Sequence, residues 1–383
     1  MFAHIVKLVP GGQGLGVLED GKKAFVWNAL PGEQVEFNVT KDKRSYCEGV
    51  AYHVFNCSEH RIMPKDKCFL ATSPWQIMDY TYELEQKREL VRECFLQNHI
   101  LVEPGPTKTD NKDFFYRNKM EYSLYWNNDD GKIYPAFHER GTHRKVPIEQ
   151  SSIERPEIWA KASEIIAKLN AEHAEARKYQ SLLIRCDQQG NTSGDLFVNG
   201  QSHPIMNNLT DKLCGQEYSY SPNGFFQINL PVYEMVLNHI KQHISTNKVL
   251  DLYSGVGSIG LTVARDKELT LVEVNGAAYE EMQKNAEGTN AKCVLAKSED
   301  VTEYVTPDQT VILDPPRAGC DAKLIEKLNE IKPKSIVYLS CNPITQARDI
   351  AMLQENYAIK EVTPYNFFPR TPHIESLAIL VRK

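Results

Sequence analysis

Three short segments carry side chains able to do covalent chemistry. They are Leu313-Asp-Pro-Pro-Arg317, Ser340-Cys-Asn-Pro343 and His373-Ile-Glu375. Cys341 supplies a thiol and Glu375 a carboxyl, a nucleophile and a general base. One reaction that needs both is methylation of carbon 5 of uracil. That carbon is a poor nucleophile until a thiolate adds to carbon 6 and turns the ring into an enolate. Carbon 5 can then attack a sulfonium methyl group, and a base must remove its proton so that the sulfur can leave. An ordinary thiol, with a pKa near ~8.5, needs local help to ionise. Taken singly, Cys341 reads as a small buried hydrophobe and Glu375 as a surface acid. The prolines change this, because Asp-Pro-Pro and Cys-Asn-Pro stop a strand abruptly and fix the loop that follows.

A second segment, Val249-Leu-Asp-Leu-Tyr-Ser-Gly-Val-Gly-Ser-Ile-Gly260, runs from an apolar strand through a glycine turn into a helix. Gly255, Gly257 and Gly260 let the backbone turn sharply and approach a ligand beside a helix N-terminus. Alone this spacing fits NAD, FAD or S-adenosylmethionine. Asp251 at the strand end can reach a cationic or amine-bearing ligand. Glu273, 22 residues later, falls where an acid caps ribose hydroxyls. Both favour S-adenosylmethionine, and Tyr253 in the same turn joins the candidate cofactor contacts.

The elements that must position these groups follow from periodicity. From residue 216 short apolar strands at 248–253, 270–274, 311–314, 335–340 and 375–382 alternate with helices. That pattern predicts an α/β Rossmann-like domain, a doubly wound parallel sheet whose strand ends line a ligand crevice. Residues 1–54 read as five short strands separated by Pro-Gly-Gly-Gln-Gly, Glu-Asp-Gly and Leu-Pro-Gly-Glu turns, a small OB-like closed barrel. Residues 55–215 read as a central α+β domain. It has helices near 79–97 and 156–172 and strands near 120–126, 133–137, 182–186 and 195–199.

Composition sets outer bounds. A 383-residue chain that is 42% hydrophobic can build two or three domains, and no apolar run is long enough to span a bilayer. The N-terminus lacks a signal peptide, so the nine cysteines read as reduced cytoplasmic thiols. A net charge of −6 argues against a general polyanion binder. Any RNA contact rests on local clusters, Arg117-Asn-Lys119 and Arg140-Gly-Thr-His-Arg-Lys145, each of which also reads as a solvated loop. No metal ligand set is assigned, and a monomer is expected.

Together these segments resemble the RNA uracil-5-methyltransferases that modify 23S rRNA and the tRNA T-loop. The barrel resembles the TRAM domain, an RNA-binding module. Tyr116-Arg-Asn-Lys119 is similar to the family's central signature, which implies substrate contacts by Arg117 and Lys119. Asn223-Gly-Phe-Phe-Gln-Ile-Asn229 resembles the segment that brings a Gln, here Gln227, to cofactor and substrate. The resemblance implies Cys341 as nucleophile, Glu375 as base and Asp314 as a ring- or cofactor-side hydrogen-bonding group. It places Arg317, Asn342 and Phe226 at the flipped base, with Phe225 and Phe368 as further stacking candidates. Many members carry a four-cysteine iron–sulfur cluster. Only Cys57 and Cys68 remain here, Phe69-Leu-Ala-Thr follows, and Ser151 stands at the fourth position, so no cluster is expected.

Other readings stay open. A cytosine-5 methyltransferase also uses a cysteine, but Asp-Pro-Pro is followed by Arg317, and Cys320 comes only after Ala-Gly. An amino-group methyltransferase would have an aromatic residue where Arg317 stands. A non-catalytic RNA chaperone could keep the same fold. The TRAM resemblance favours 23S rRNA over tRNA as the substrate.

Overall fold

The computed structural model describes residues 1–142, 144–205 and 208–383. His143, within the basic Arg140–Lys145 cluster, lies outside them. By contact the chain forms two units. The first holds Met1–Gln86, Asn111–Asn207 and Phe368–His373; the second holds Lys87–Asp110, Asn208–Phe367 and Ile374–Lys383.

In the first unit, β1 (Phe2–Leu8), β2 (Gly14–Val17), β3 (Lys23–Trp27), β4 (Gln34–Asp42) and β5 (Tyr46–Val54) close into a barrel in the order β1-β2-β3-β5-β4. Strict alternation drives it. Ala3, Ile5, Ala24, Val26, Val35, Phe37, Cys47 and Ala51 all point inward as one apolar core. Where β5 passes Phe37, a side chain at Gly49 would sit 2.4 Å from the ring, so that position has room only for hydrogen.

The unit continues with α1 (Phe69–Thr72), the first part of α2 (Tyr80–Gln97), and a six-stranded sheet. The sheet comprises β6 (Lys119–Asn127), β7 (Lys132–His138), β8 (Lys145–Pro147), β9 (Tyr179–Cys186), β10 (Thr192–Val198) and β11 (Gln201–Pro204). One face is covered by α3 (Pro156–Ala171), whose Ile158, Ala162, Ile166 and Leu169 recur at helical spacing and pack on Tyr122, Leu182 and Ile184.

The loop expected to lack an iron–sulfur cluster is tied by a polar knot. Gln76 Oε1 accepts the N–H groups of Lys65 (2.8 Å) and Asp66 (3.1 Å), and its Nε2 donates to Asp66 (2.9 Å) and Ser73 (2.7 Å). Asp66 also accepts from Ser152 N–H at 2.9 Å and Ser151 Oγ at 3.2 Å. Trp75, 1% exposed, donates from Nε1 to Gly12 O at 3.0 Å. Cys57 is exposed and Cys68 half-buried, and none of the nine cysteines is in a disulfide.

The second unit is built on a seven-stranded sheet in the order β16-β15-β14-β17-β18-β20-β19. The strands β14 (Lys248–Leu252), β15 (Glu268–Glu273), β16 (Lys292–Leu295), β17 (Thr310–Leu313) and β18 (Ser335–Ser340) are parallel. β20 (Glu375–Arg382) runs antiparallel between β18 and the edge strand β19 (Tyr357–Tyr365). Helices α4 (Leu230–His243), α5 (Ser258–Val263), α6 (Gly276–Asn285), α7 (Ala322–Ile331) and α8 (Pro343–Leu353) belong to the same unit, as does a hairpin of β12 (Leu209–Leu213) and β13 (Gln216–Tyr220). The predicted α/β sheet is thus present, with all six residues of β18 buried as expected of a central strand. Among the described residues no helix is long and apolar enough to cross a membrane.

Candidate active site

Three parallel strands end at one edge of the sheet: Leu252 on β14, Leu313 on β17 and Ser340 on β18. The antiparallel β20 begins at that same edge. Its ladder with β18 pairs Ser340 with Ser376. The residues that follow this last pair are Cys341 and Glu375, and the Glu375 charge acts on the Cys341 thiol. Asp314 follows Leu313 on the adjoining strand. The side chains that were read as nucleophile, base and hydrogen-bonding acid therefore come together at one edge, although they are far apart in sequence.

Their electrostatics agree with this proximity. Burial pushes the Cys341 thiol up to about 11, and the charges of Glu375 and Asp314 add to it while Arg317 opposes. Glu375, 4% exposed, is raised well above the ordinary carboxylate range by burial and by Asp314, again opposed by Arg317. Asp314 is pushed up to about 7 by burial. Each group is thus an acid held among other acids, with the Arg317 cation beside them.

The loop that carries Arg317 is fixed from several sides. Asn342 Nδ2 donates to Arg317 O at 2.8 Å, and Thr345 Oγ1 donates to the same carbonyl at 3.2 Å. Asn342 Oδ1 also caps α8 by accepting from Ile344 N–H at 3.3 Å. Both polar atoms of this predicted substrate contact are therefore engaged in building the loop. Below it, Asp349 accepts from Cys320 N–H (2.8 Å) and Tyr338 Oη (2.7 Å). Cys320 is buried and its thiol is pushed up to about 12, which makes it an inert packing group rather than a second nucleophile.

The glycine turn stands at the same edge. Asp251, fully buried, accepts the Gly260 N–H at 2.9 Å through Oδ2, while Oδ1 is buried with no hydrogen-bond partner. Burial, with the charges of Asp314 and Glu273 adding to it, pushes this carboxyl up to about 8. A Cβ at Gly260 would sit 2.5 Å from Leu271 and 2.8 Å from the Asp251 carboxylate, so glycine is required there. Tyr253, Gly255 and Gly257 all have positive φ (63°, 56° and 84°), which folds the turn back over the strand end. Glu273 accepts the N–H groups of Gly255 (2.8 Å) and Asn275 (2.7 Å), so its carboxylate braces the turn.

The remaining predicted residues divide. Gln227 is buried in the second unit. Phe226 is 3% exposed and stacks on Tyr220 with ring centroids 4.1 Å apart, a core position, whereas Phe225 is 73% exposed. Arg117 and Lys119 lie in the first unit with Phe368. Arg117 Nε donates to Lys119 O at 2.8 Å, and burial plus the Arg185 charge push the Lys119 amine down to about 8. The second basic cluster is largely occupied. Arg140 donates to Leu70 O at 2.7 Å and lies 4.1 Å over the Trp27 ring, and Arg144 pairs with Glu139 at 3.0 Å.

Comparison with known proteins gives this geometry a family. The family model described as tRNA (uracil-5-)-methyltransferase matches residues 201–383. An uncharacterized RNA methyltransferase of Enterococcus faecalis is 30% identical over 436 residues, covering 97% of this chain and 95% of the relative. One from Bacillus cereus is 29% identical over 444 residues, covering 99% and 96%. The crystal structure of the Pyrococcus abyssi tRNA (uracil-54, C5)-methyltransferase in complex with S-adenosyl-L-homocysteine superposes with a TM-score of 0.78, at 26% identity and with full coverage of both chains. The fold is that of an RNA methyltransferase. More narrowly, the chain belongs to the RNA uracil-5-methyltransferase family, enzymes that methylate RNA.

Proposed function

We propose that this enzyme methylates carbon 5 of one uridine in 23S rRNA, using S-adenosylmethionine as donor and Cys341 as covalent nucleophile. The observation that supports the reading is that Cys341 and Glu375 follow directly on the last pair of the β18–β20 ladder, with the charges of Glu375 and Asp314 acting on the Cys341 thiol.

The site fits the cofactor on its own terms. A buried carboxyl with an orphaned oxygen, Asp251, feels the charge of a second raised carboxyl, Asp314, a pairing that a cationic ligand would relieve. Asp251, Tyr253, Gly255, Gly257, Glu273, Gln227 and Asp314 would hold it. When bound, S-adenosylmethionine supplies an electrophilic methyl group on a cationic sulfur.

The chain's own residues do the rest. Cys341 Sγ, as thiolate, bonds to carbon 6, and the electron pair passes onto carbon 5 and the ring carbonyl. Arg317 sits where its cation favours that thiolate. After carbon 5 has taken the methyl group, a Glu375 carboxylate oxygen accepts the carbon-5 proton. The Sγ–C6 bond then breaks and the thiolate is restored. A carboxyl raised by burial is a stronger base toward a carbon-bound proton than an exposed one.

Three segments would divide the labour: 1–54 as a TRAM-like RNA-binding barrel, 55–215 as the central substrate domain and 216–383 as the methyltransferase domain. The barrel exposes Phe2, Tyr52 and Phe55, faces on which bases can stack. Arg117 and Lys119 would take phosphate, which relieves the repulsion from Arg185. Phe225 rather than Phe226 is the accessible aromatic. We further propose a cytoplasmic monomer that needs no iron–sulfur cluster, the Gln76–Asp66–Ser152 knot holding that loop.

A tRNA T-loop uridine is the second reading, favoured by the full-length likeness to the P. abyssi enzyme. Incubation with labelled S-adenosylmethionine and unmodified 23S rRNA or tRNA, followed by mapping of the product, separates them. Label at one 23S uridine is expected. Label confined to tRNA selects the second reading, and label on cytosine rejects both.

A further inference from the structure

Away from the strand ends, three potential metal ligands converge. His239 and His243 lie one helical turn apart on α4, and Glu361 projects from β19. Their ligand atoms all lie within 4.8 Å of one another, the one such set among the described residues. Glu361 Oε1 is 2.6 Å from His239 Nε2 and 2.9 Å from His243 Nε2. Neither ring N–H is aligned with it, and this buried oxygen has no hydrogen-bond partner.

A second contact points the same way. His239 Nδ1 lies 2.6 Å from Tyr365 Oη. In the tautomer in which the ring donates to Tyr365, Nε2 carries the lone pair that a metal ion would take. A ring nitrogen anchored by an outer hydrogen bond is also how metal-bound histidines are oriented.

We propose that His239, His243 and Glu361 form a site for a divalent transition-metal ion of the zinc class, which clips α4 to the edge strand β19. Two imidazoles one turn apart plus a carboxylate is a donor set suited to zinc. Zinc bonds of about 2.0–2.1 Å at tetrahedral angles hold ligand atoms about 3.3 Å apart, so the three need to separate by about half an ångström. The charged neighbour is Lys360, 3.4 Å from His243 Nδ1; it is exposed and free to swing into solvent.

The clip has a place in the architecture. Glu361 lies across from Ile379 in the β19–β20 ladder, while Tyr365 lies across from Glu375. Four residues of strand, roughly 13 Å, thus separate the metal from the carboxyl at the crevice. The ion is structural, and Tyr365 links it to the strand position opposite Glu375.

Full-length protein, stripped with chelator, is titrated with Zn²⁺ by calorimetry and with Co²⁺ by absorbance. One ion per chain is expected, with a rise in thermal midpoint and a Co²⁺ spectrum free of thiolate charge transfer. Glu361→Gln and His239→Asn should each weaken binding at least tenfold, and Tyr365→Phe about ten- to a hundredfold. If His239→Asn unfolds, the isosteric Glu361→Gln decides. No stoichiometric binding by the wild type, unchanged affinity in Glu361→Gln, or a thiolate band from the free cysteines would overturn the proposal.

Discussion

Two buried polar clusters in this molecule are built from the same kinds of atoms and differ in one respect. In the first unit, Gln76, Asp66, Ser73 and Ser152 close on one another, and donors and acceptors are matched around the Gln76 amide. In the second unit, Asp251 keeps an orphaned oxygen, and Asp314, Cys341 and Glu375 are all pushed upward in pKa. A satisfied network lowers the free energy of the folded chain by itself. An unsatisfied one raises it and recovers the cost only when a ligand arrives. The first pattern holds its loop together unaided, and the second is what the proposed binding crevice requires.

This contrast can be broken most sharply at the crevice. Cys341→Ala is expected to lower methyl transfer at least about 1000-fold in a labelled-cofactor assay, because Cys341 is the group proposed to add to carbon 6. Glu375→Gln should lower turnover about 10²–10⁴-fold and leave a protein–RNA adduct visible on a denaturing gel. Adduct without turnover assigns the carboxyl to the proton-removal step, whereas loss of the adduct assigns it to sulfur addition.

The next effect is on pH dependence. Asp251 and Asp314, with pKa values raised to about 8 and about 7, keep protons in the folded protein that the unfolded chain has lost. Their contribution to stability is therefore greatest near the unfolded carboxylate pKa and falls as pH rises toward 8. A cationic ligand reverses this by favouring the ionised forms. The S-adenosylmethionine-induced rise in thermal midpoint should be larger at pH 8.5 than at pH 6, and an equal rise would show that neither carboxyl faces the cation. The smallest effect belongs to the satisfied cluster. Gln76→Leu removes one of three donors to the Asp66 carboxylate and leaves the Lys65 and Asp66 N–H groups without their acceptor, and should cost about 1–3 kcal/mol in denaturant unfolding.

The catalytic edge was readable because its signals are local. Prolines end β17 and open α8, glycines make the turn, and an apolar strand precedes each. The register that brings Cys341 to Glu375 was not readable, since nothing in the local pattern says that β20 inserts between β18 and β19. Several elements went unread, among them the short strands β8, β11, β12, β13 and β16, and two longer ones, β19 and α4. β19 carries Pro364, which argues against a strand and is tolerated here because β19 is the sheet edge. α4 carries Pro231 in its first turn, with Val232, Val236 and Ile240 buried at helical spacing, a signal that was present. The His239–His243 pair of the proposed metal site sits on that helix. Phe226 and Phe225 could not be told apart by type, because only tertiary packing on Tyr220 decides which is core.

The β18–β20 ladder has a corollary for insertions and deletions. Side chains alternate between the two faces of a sheet, so a slip of β20 by one residue would carry the acid at 375 to the opposite side. The loop from Asn366 to Ile374 can then tolerate changes in length only where they leave that pairing untouched. Nine residues of connecting chain are held in phase by the strand they lead into.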